Sequence, residues 1–125
     1  MRNPKYLLDT TVLIDHLNRH PQATDWLLSL QDGEAVISAV TRAEVLTGCD
    51  SEQERRETAD FLDCYDCLPV TAQTADLAAD VRKKYRLKLP DALQAALAKQ
   101  HSLKLCTHNT KDFLKISGLV HVPYA

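Results

Sequence analysis

The chain has 125 residues, 45% of them hydrophobic and 26% charged, with 3 glycines and 5 prolines. That length suits one ordinary domain, and the composition excludes a disordered or fibrous chain. A formal net charge of −2 gives no global attraction to a polyanion, so nucleic-acid binding would need a local basic patch or metal ions.

The opening MRNPKYLLDT has neither the apolar core nor the small-residue cleavage site of a secretory signal. No apolar run reaches the roughly 18 residues that suggest a membrane span. The cytoplasm is therefore the expected location, with no membrane partner. The four cysteines, Cys49, Cys64, Cys67 and Cys106, read as reduced packing residues. Cys64 and Cys67 form a CxxC, but no second Cys or His pair stands at zinc-finger spacing, and a helix end is the favoured reading.

Residues 5–9 (KYLLD) read as a strand that ends on a carboxylate, and residues 10–18 as a helix with Val12, Leu13 and Leu17 on its apolar side. Trp26, Leu27 and Leu30 mark a short second helix, closed by the turn QDGE. AVIS reads as a buried strand and TRAEVLTG as the helix after it, with Thr41 as N-cap and Glu44 three residues on, a capping box. Residues from 51 to about 64 suit a surface helix, CLPV a short strand, and residues 71–85 a helix with Leu77, Val81 and Tyr85 on one stripe. In KLPDALQAALAKQ, Pro90 suits the first turn of a helix and Asp91 its positive end. LKLCT is a strand ending on Thr107, His108 and Asn109; TKDFLKI is a helical turn and LVHV a last strand.

Strands alternating with helices imply an α/β fold, a mainly parallel sheet with helices on both faces and ligands gathered at the carboxyl ends of the strands. Asp9, Glu44, Asp91 and residues 107–109 can converge there. Taken singly, each acid has a structural reading: Asp9 as a strand-end cap, Glu44 as a capping residue, Asp91 as a partner of the helix dipole.

The segments LLDTTVLID, ISAVTRAEVLTG, LPDALQAALAKQHSLKLCTHNTKDF and VHVPYA resemble the PIN domain, most closely the small VapC-type toxin ribonucleases of bacterial toxin-antitoxin pairs. The likeness spans nearly the whole chain. It implies one domain over residues 1–125, with three layers around a central, mainly parallel sheet, and a metal-dependent endoribonuclease acting on RNA. It also implies a homodimer, or a hetero-oligomer with a cognate VapB-type antitoxin whose tail occupies the groove and sets a basic residue near the acids.

Under that resemblance, Asp9, Glu44 and Asp91 match the first three metal-binding acids, and Asn109 stands where many PIN domains place a fourth. Three carboxylates brought together without a cation raise one another's pKa, which suits a hard ion such as Mg2+ or Mn2+ at their centre. An amide at Asn109 adds no charge, so a second ion should bind more weakly. Asp112 can compensate, although capping or solvating its short helix is the favoured reading. Thr10, Thr11 and Thr107 would supply hydroxyls and backbone groups. Arg42, two residues before Glu44, is a candidate for binding a phosphate or pairing with an acid of the cluster. The basic run RKKYRLK, residues 82–88, reads equally as an RNA contact or a solvated helix end.

Two other readings compete. One is a PIN scaffold that binds RNA or protein without cutting it. The other, a receiver-like phosphotransfer domain, is weakened by the lack of a P-loop and of a convincing lysine partner.

Overall fold

The computed structural model describes residues 3–125. In chain order the elements are β1 (Tyr6–Leu8), α1 (Thr10–Leu17), α2 (Pro21–Ser29), β2 (Ala35–Ser38), α3 (Ala39–Thr47), α4 (Glu52–Leu62), β3 (Cys67–Leu68), α5 (Ala72–Tyr85), α6 (Leu89–Gln100), β4 (Lys104–Cys106), α7 (Thr110–Phe113) and β5 (Val120–His121). The five strands lie in the order β3-β2-β1-β4-β5, and every pairing between neighbours is parallel. The expected mainly parallel sheet is thus wholly parallel.

Alternation along the strands builds the layers, because successive side chains point to opposite faces. Leu7, Val36 and Leu105 enter one core with Ala78, Val81 and Ala92 from α5 and α6. Leu8, Ile37 and Cys106 enter the other with Val12, Leu13, Val45 and Leu62 from α1, α3 and α4. The sheet therefore has α5 and α6 on one face and α1, α3 and α4 on the other. Each fully buried leucine contributes roughly 1.5–3 kcal/mol relative to an exposed one.

β1 sits at the centre, paired to β2 through Leu7 and Val36 and to β4 through Leu8 and Cys106. From β1 the chain winds outward through β2 and β3, then returns to the other side of β1 with β4 and β5. That reversal leaves a crevice at the carboxyl ends of β1 and β4, the usual place for a ligand site in open parallel sheets.

Three local expectations are corrected. α3 starts at Ala39, so Ser38 rather than Thr41 is its N-cap: Ser38 has extended φ, ψ of −100°, 161° and its side chain accepts from the Thr41 backbone N–H. Leu30 lies beyond the end of α2 as its C-cap. Among the cysteines only Cys106 is buried; Cys64 and Cys67 are exposed free thiols, so they do not pack in a core. Cys64 does follow the end of α4, in keeping with the helix-end reading. No helix among the described residues is long and apolar enough to cross a membrane.

Candidate active site

Asp9 follows β1 and holds the N-cap position of α1, yet its side chain makes no capping bond. It is 6% exposed, and three side chains donate to it instead. Thr107, just past β4, donates to Oδ2 at 2.8 Å, and Thr11 donates to the same oxygen at 3.3 Å. Gln94 Nε2 donates to Oδ1 at 3.2 Å. The apolar strand can end on a buried carboxylate because hydrogen bonds to the charged form replace its lost hydration. Asp9 and Thr107 are joined across the crevice between β1 and β4.

Gln94 was not singled out by the sequence. It is 1% exposed and lies one helical turn after Asp91 on α6. Besides Asp9, its amide N–H reaches Thr41 Oγ1 at 2.7 Å, while its carbonyl accepts from the Ser38 hydroxyl. One side chain therefore ties α6 to β1, to the end of β2 and to α3. The available signal was its place as the lone polar residue in ALQAALA, a turn from Asp91.

Glu44, exposed on α3, accepts from Thr10 Oγ1 at 2.8 Å. Asp91, half-buried in the first turn of α6, is held above the usual carboxylate range by burial first, then by repulsion from Asp9, Asp112 and Glu44. Lys88 partly offsets these. The four acids thus share one electrostatic neighbourhood. Asp112 also pairs with Lys115 at 3.8 Å, so it both solvates its short helix and adds charge to the cluster.

Asn109 stands at the N-cap position of α7, but its side chain makes no capping bond. Its backbone N–H donates to Thr107 Oγ1 at 2.9 Å, which links it to the Asp9 network. Arg42 does not join the cluster. Its Nη1 pairs at 2.9 Å with Asp63 at the end of α4, because residues two apart on a helix point to different sides.

The chain's last residues fasten the 107–109 loop. His108 donates from Nε2 to the Tyr124 carbonyl at 3.0 Å, its backbone N–H donates to Thr11 Oγ1 at 3.2 Å, and the Tyr124 hydroxyl donates to Asp15 at 2.9 Å. Burial and the Asp15 bond keep that phenol protonated above its ordinary range.

The family model for the PIN domain matches residues 6–119. The chain belongs to the PIN-domain family. Ribonuclease VapC10 of Mycobacterium tuberculosis is 38% identical to this PIN domain over 113 residues, covering 86% of this chain and 84% of that protein. A tRNA(fMet)-specific endonuclease VapC of Shigella flexneri is 29% identical over 126 residues, covering 92% and 94%. A toxin-antitoxin complex from Klebsiella pneumoniae superposes with a TM-score of 0.87 at 34% identity, covering 96% of this chain and 98% of its counterpart.

The carboxylates of Asp9, Glu44, Asp91 and Asp112, which share one electrostatic neighbourhood, are the kind of oxygen donor that a hard divalent cation prefers. Among the described residues no three His, Cys, Asp or Glu side chains form a ready-made metal cage. An open acid cluster fits an ion that keeps several waters and takes one or two carboxylates, as Mg2+ does.

The raised proton affinity of Asp91 has a measurable consequence. The native state holds that proton more tightly than the unfolded chain, so the ionised carboxyl destabilises the metal-free protein above its folded pKa. The penalty disappears as pH falls into the ordinary aspartate range. In EDTA, Asp91→Asn should therefore melt a few degrees higher than wild type near pH 7, with the difference shrinking toward pH 4. Thermal melts followed by circular dichroism at both pH values check this; a pH-independent difference would detach the effect from the Asp91 charge.

Proposed function

We propose that the chain, as one domain over residues 1–125, is a metal-dependent endoribonuclease toxin of the cytoplasm, restrained by a VapB-type antitoxin. The observation that carries this reading is the gathering of Asp9, Glu44 and Asp91 at the carboxyl end of a PIN-domain sheet, in a chain 38% identical to a protein named as a ribonuclease. Mg2+ or Mn2+ bound at these acids would activate water and stabilise charge on the scissile phosphate.

The chain's own residues set the geometry. Asp9, fixed by donors on both oxygens, presents a carboxylate whose orientation is decided before any ligand arrives. Glu44 and Asp91 face the same space from α3 and α6 and are assigned to orient the attacking water. Thr10 steadies Glu44, and Thr107 steadies Asp9 and the Asn109 backbone.

The antitoxin reading is supported by a groove of about 420 Å³ between α1, α3 and α4, lined by the apolar Ile14, Leu17 and Val45 and by the charged Arg19, Glu54 and Glu57. It suits an amphipathic segment with an apolar stripe and a basic flank. A basic side chain reaching the acids from that segment would satisfy their charge and block RNA. We assign the free toxin to a homodimer.

The test is cleavage of a mixed pool of structured RNAs by the purified chain with Mg2+, Mn2+ or EDTA, beside Asp9→Asn prepared identically. Metal-dependent products absent from the variant support the reading. A folded, metal-binding, antitoxin-free chain that cuts nothing in the pool counts against it and favours the non-catalytic RNA- or protein-binding scaffold.

Asn109 gives a separate test. If its amide faces the ion, Asn109→Asp adds a charged ligand and should tighten Mn2+ binding by roughly tenfold, within the range over which ligand charge tunes hard-ion sites. Isothermal titration calorimetry reads this directly; unchanged affinity would remove Asn109 from the site.

A further inference from the structure

The basic run at residues 82–88 holds Arg82, Lys83, Lys84, Arg86 and Lys88, all exposed. Among the described residues none of the five forms an ion pair. Five exposed cations within seven residues stand out on a chain of net charge −2; Lys84 Nζ lies 5.3 Å over the Tyr85 ring, and Lys88 acts on Asp91 through its charge alone. The negative end of a helix accounts for Arg82, Lys83 and Lys84 in the last turn of α5. It accounts equally for the charge of Arg86 at the C-cap, but not for Lys88, which stands at the positive end of α6.

Arg86 ends α5 in the left-handed conformation, with φ 56° and ψ 44°. For a residue with a Cβ this costs roughly 1–2 kcal/mol, and glycine is the usual solution. The capping bond at this position runs from the backbone N–H to the Arg82 carbonyl, so glycine would make it equally well. Backbone geometry gives no reason for an arginine here.

The run also adjoins the acid cluster. Lys88 is the N-cap residue of α6, three positions before Asp91, and its side chain makes no capping bond. Lys115 Nζ reaches the Tyr85 carbonyl at 3.4 Å and Asp112 at 3.8 Å, which joins the middle of the run to an acid of the cluster. Clustered carboxylates repel a polyanion, so a strand brought to them needs cations close by.

We propose that Arg82, Lys83, Lys84, Arg86 and Lys88 form a track for the phosphate backbone of the RNA strand that enters the acid cluster. The track rests on the ribonuclease reading, since its ligand is that enzyme's substrate. It recognises phosphate and not sequence, so losing a cation should weaken all RNAs alike and flatten the salt dependence by about 0.7 per phosphate contact on a single strand.

The test is fluorescence anisotropy of a short fluorescein-labelled, mixed-sequence single-stranded RNA with the full chain in EDTA, across a series of NaCl concentrations. Lys83→Glu/Lys84→Glu should weaken binding by about tenfold or more and give a shallower salt slope. Arg86→Gly should weaken it several-fold while melting at the same or a higher temperature, so lost binding cannot be ascribed to lost folding. Arg55→Glu/Arg56→Glu, on α4 over the other face of the sheet, changes net charge as much as the lysine pair and should bind nearly as wild type. Track variants that bind like wild type, a control that weakens as much as they do, or a run that captures polyglutamate but not RNA would each overturn the proposal. Failure of the wild type to cleave the RNA pool, with the track variants still losing RNA, would remove the nuclease reading and leave the track; cleavage with unaltered binding by the variants would remove the track alone.

Discussion

Asp9→Asn is expected to lower RNA cleavage by roughly 100-fold or more, at least what removing a partner that merely supports a metal ligand costs, while the protein stays folded. The two halves of that expectation have different causes. Activity falls because an amide supplies neither the charge that holds a divalent ion nor the second acceptor oxygen. The fold survives because the neighbours on one side can adapt. Thr107 and Thr11 meet Asp9 through hydroxyls at Oδ2, and a hydroxyl accepts as readily as it donates. Gln94 meets Oδ1 through an N–H and cannot reverse without losing Ser38. The new amide should therefore turn its NH2 toward the threonines and keep its oxygen toward Gln94. End-labelled RNA cleavage beside circular dichroism checks the expectation; wild-type cleavage by a correctly folded Asp9→Asn would remove the acid cluster from the mechanism. Glu44→Gln and Asp91→Asn should lose activity in the same assay, with Asp91→Asn also carrying the pH-dependent gain in stability described above.

What the sequence made legible was the backbone logic. The apolar run before Asp9 marked a strand there, which the structure ends one residue earlier, at Leu8, with Leu7 and Leu8 on opposite faces of the sheet. Asp91, just after Pro90, marked the start of α6, and the spacing of strands and helices was enough for a parallel sheet. Residues whose neighbours come from distant segments were harder to read. Ser38 and Thr41 both suit an N-cap, and the choice fell to Ser38 because the extended backbone of β2 carries it to the helix start. Arg42 was misplaced for a reason the sequence did contain: two residues before Glu44 on a helix, it could not point the same way. Gln94 was invisible for the opposite reason. Glutamine is an ordinary helix former, and nothing along α6 tells that its partners are Ser38, Thr41 and Asp9.

Gln94→Leu is the second large effect expected, and it falls first on stability. The substitution keeps similar bulk in a fully buried position but strips the donor from Asp9 Oδ1 and the acceptor from the Ser38 hydroxyl, itself 0% exposed. Leaving a buried polar group without a partner costs about 1–3 kcal/mol, so a loss of about 3 kcal/mol is expected from urea unfolding. Gln94→Glu separates bulk from chemistry: it preserves the acceptor for Ser38 but sets a carboxylate where the amide N–H stood 3.2 Å from Asp9 Oδ1. It can bond there only when protonated, so its native state holds a proton that the unfolded chain releases more readily. Its stability should therefore fall as pH rises above the ordinary glutamate range. The decisive measurement is the double variant Asp9→Asn/Gln94→Leu. With no charge at position 9, the missing donor is less costly, and the double variant should be more stable than the sum of the single effects by about 1 kcal/mol. Additive losses would mean that Gln94 supports the fold without orienting Asp9, and its place in the active site would then have to be given up.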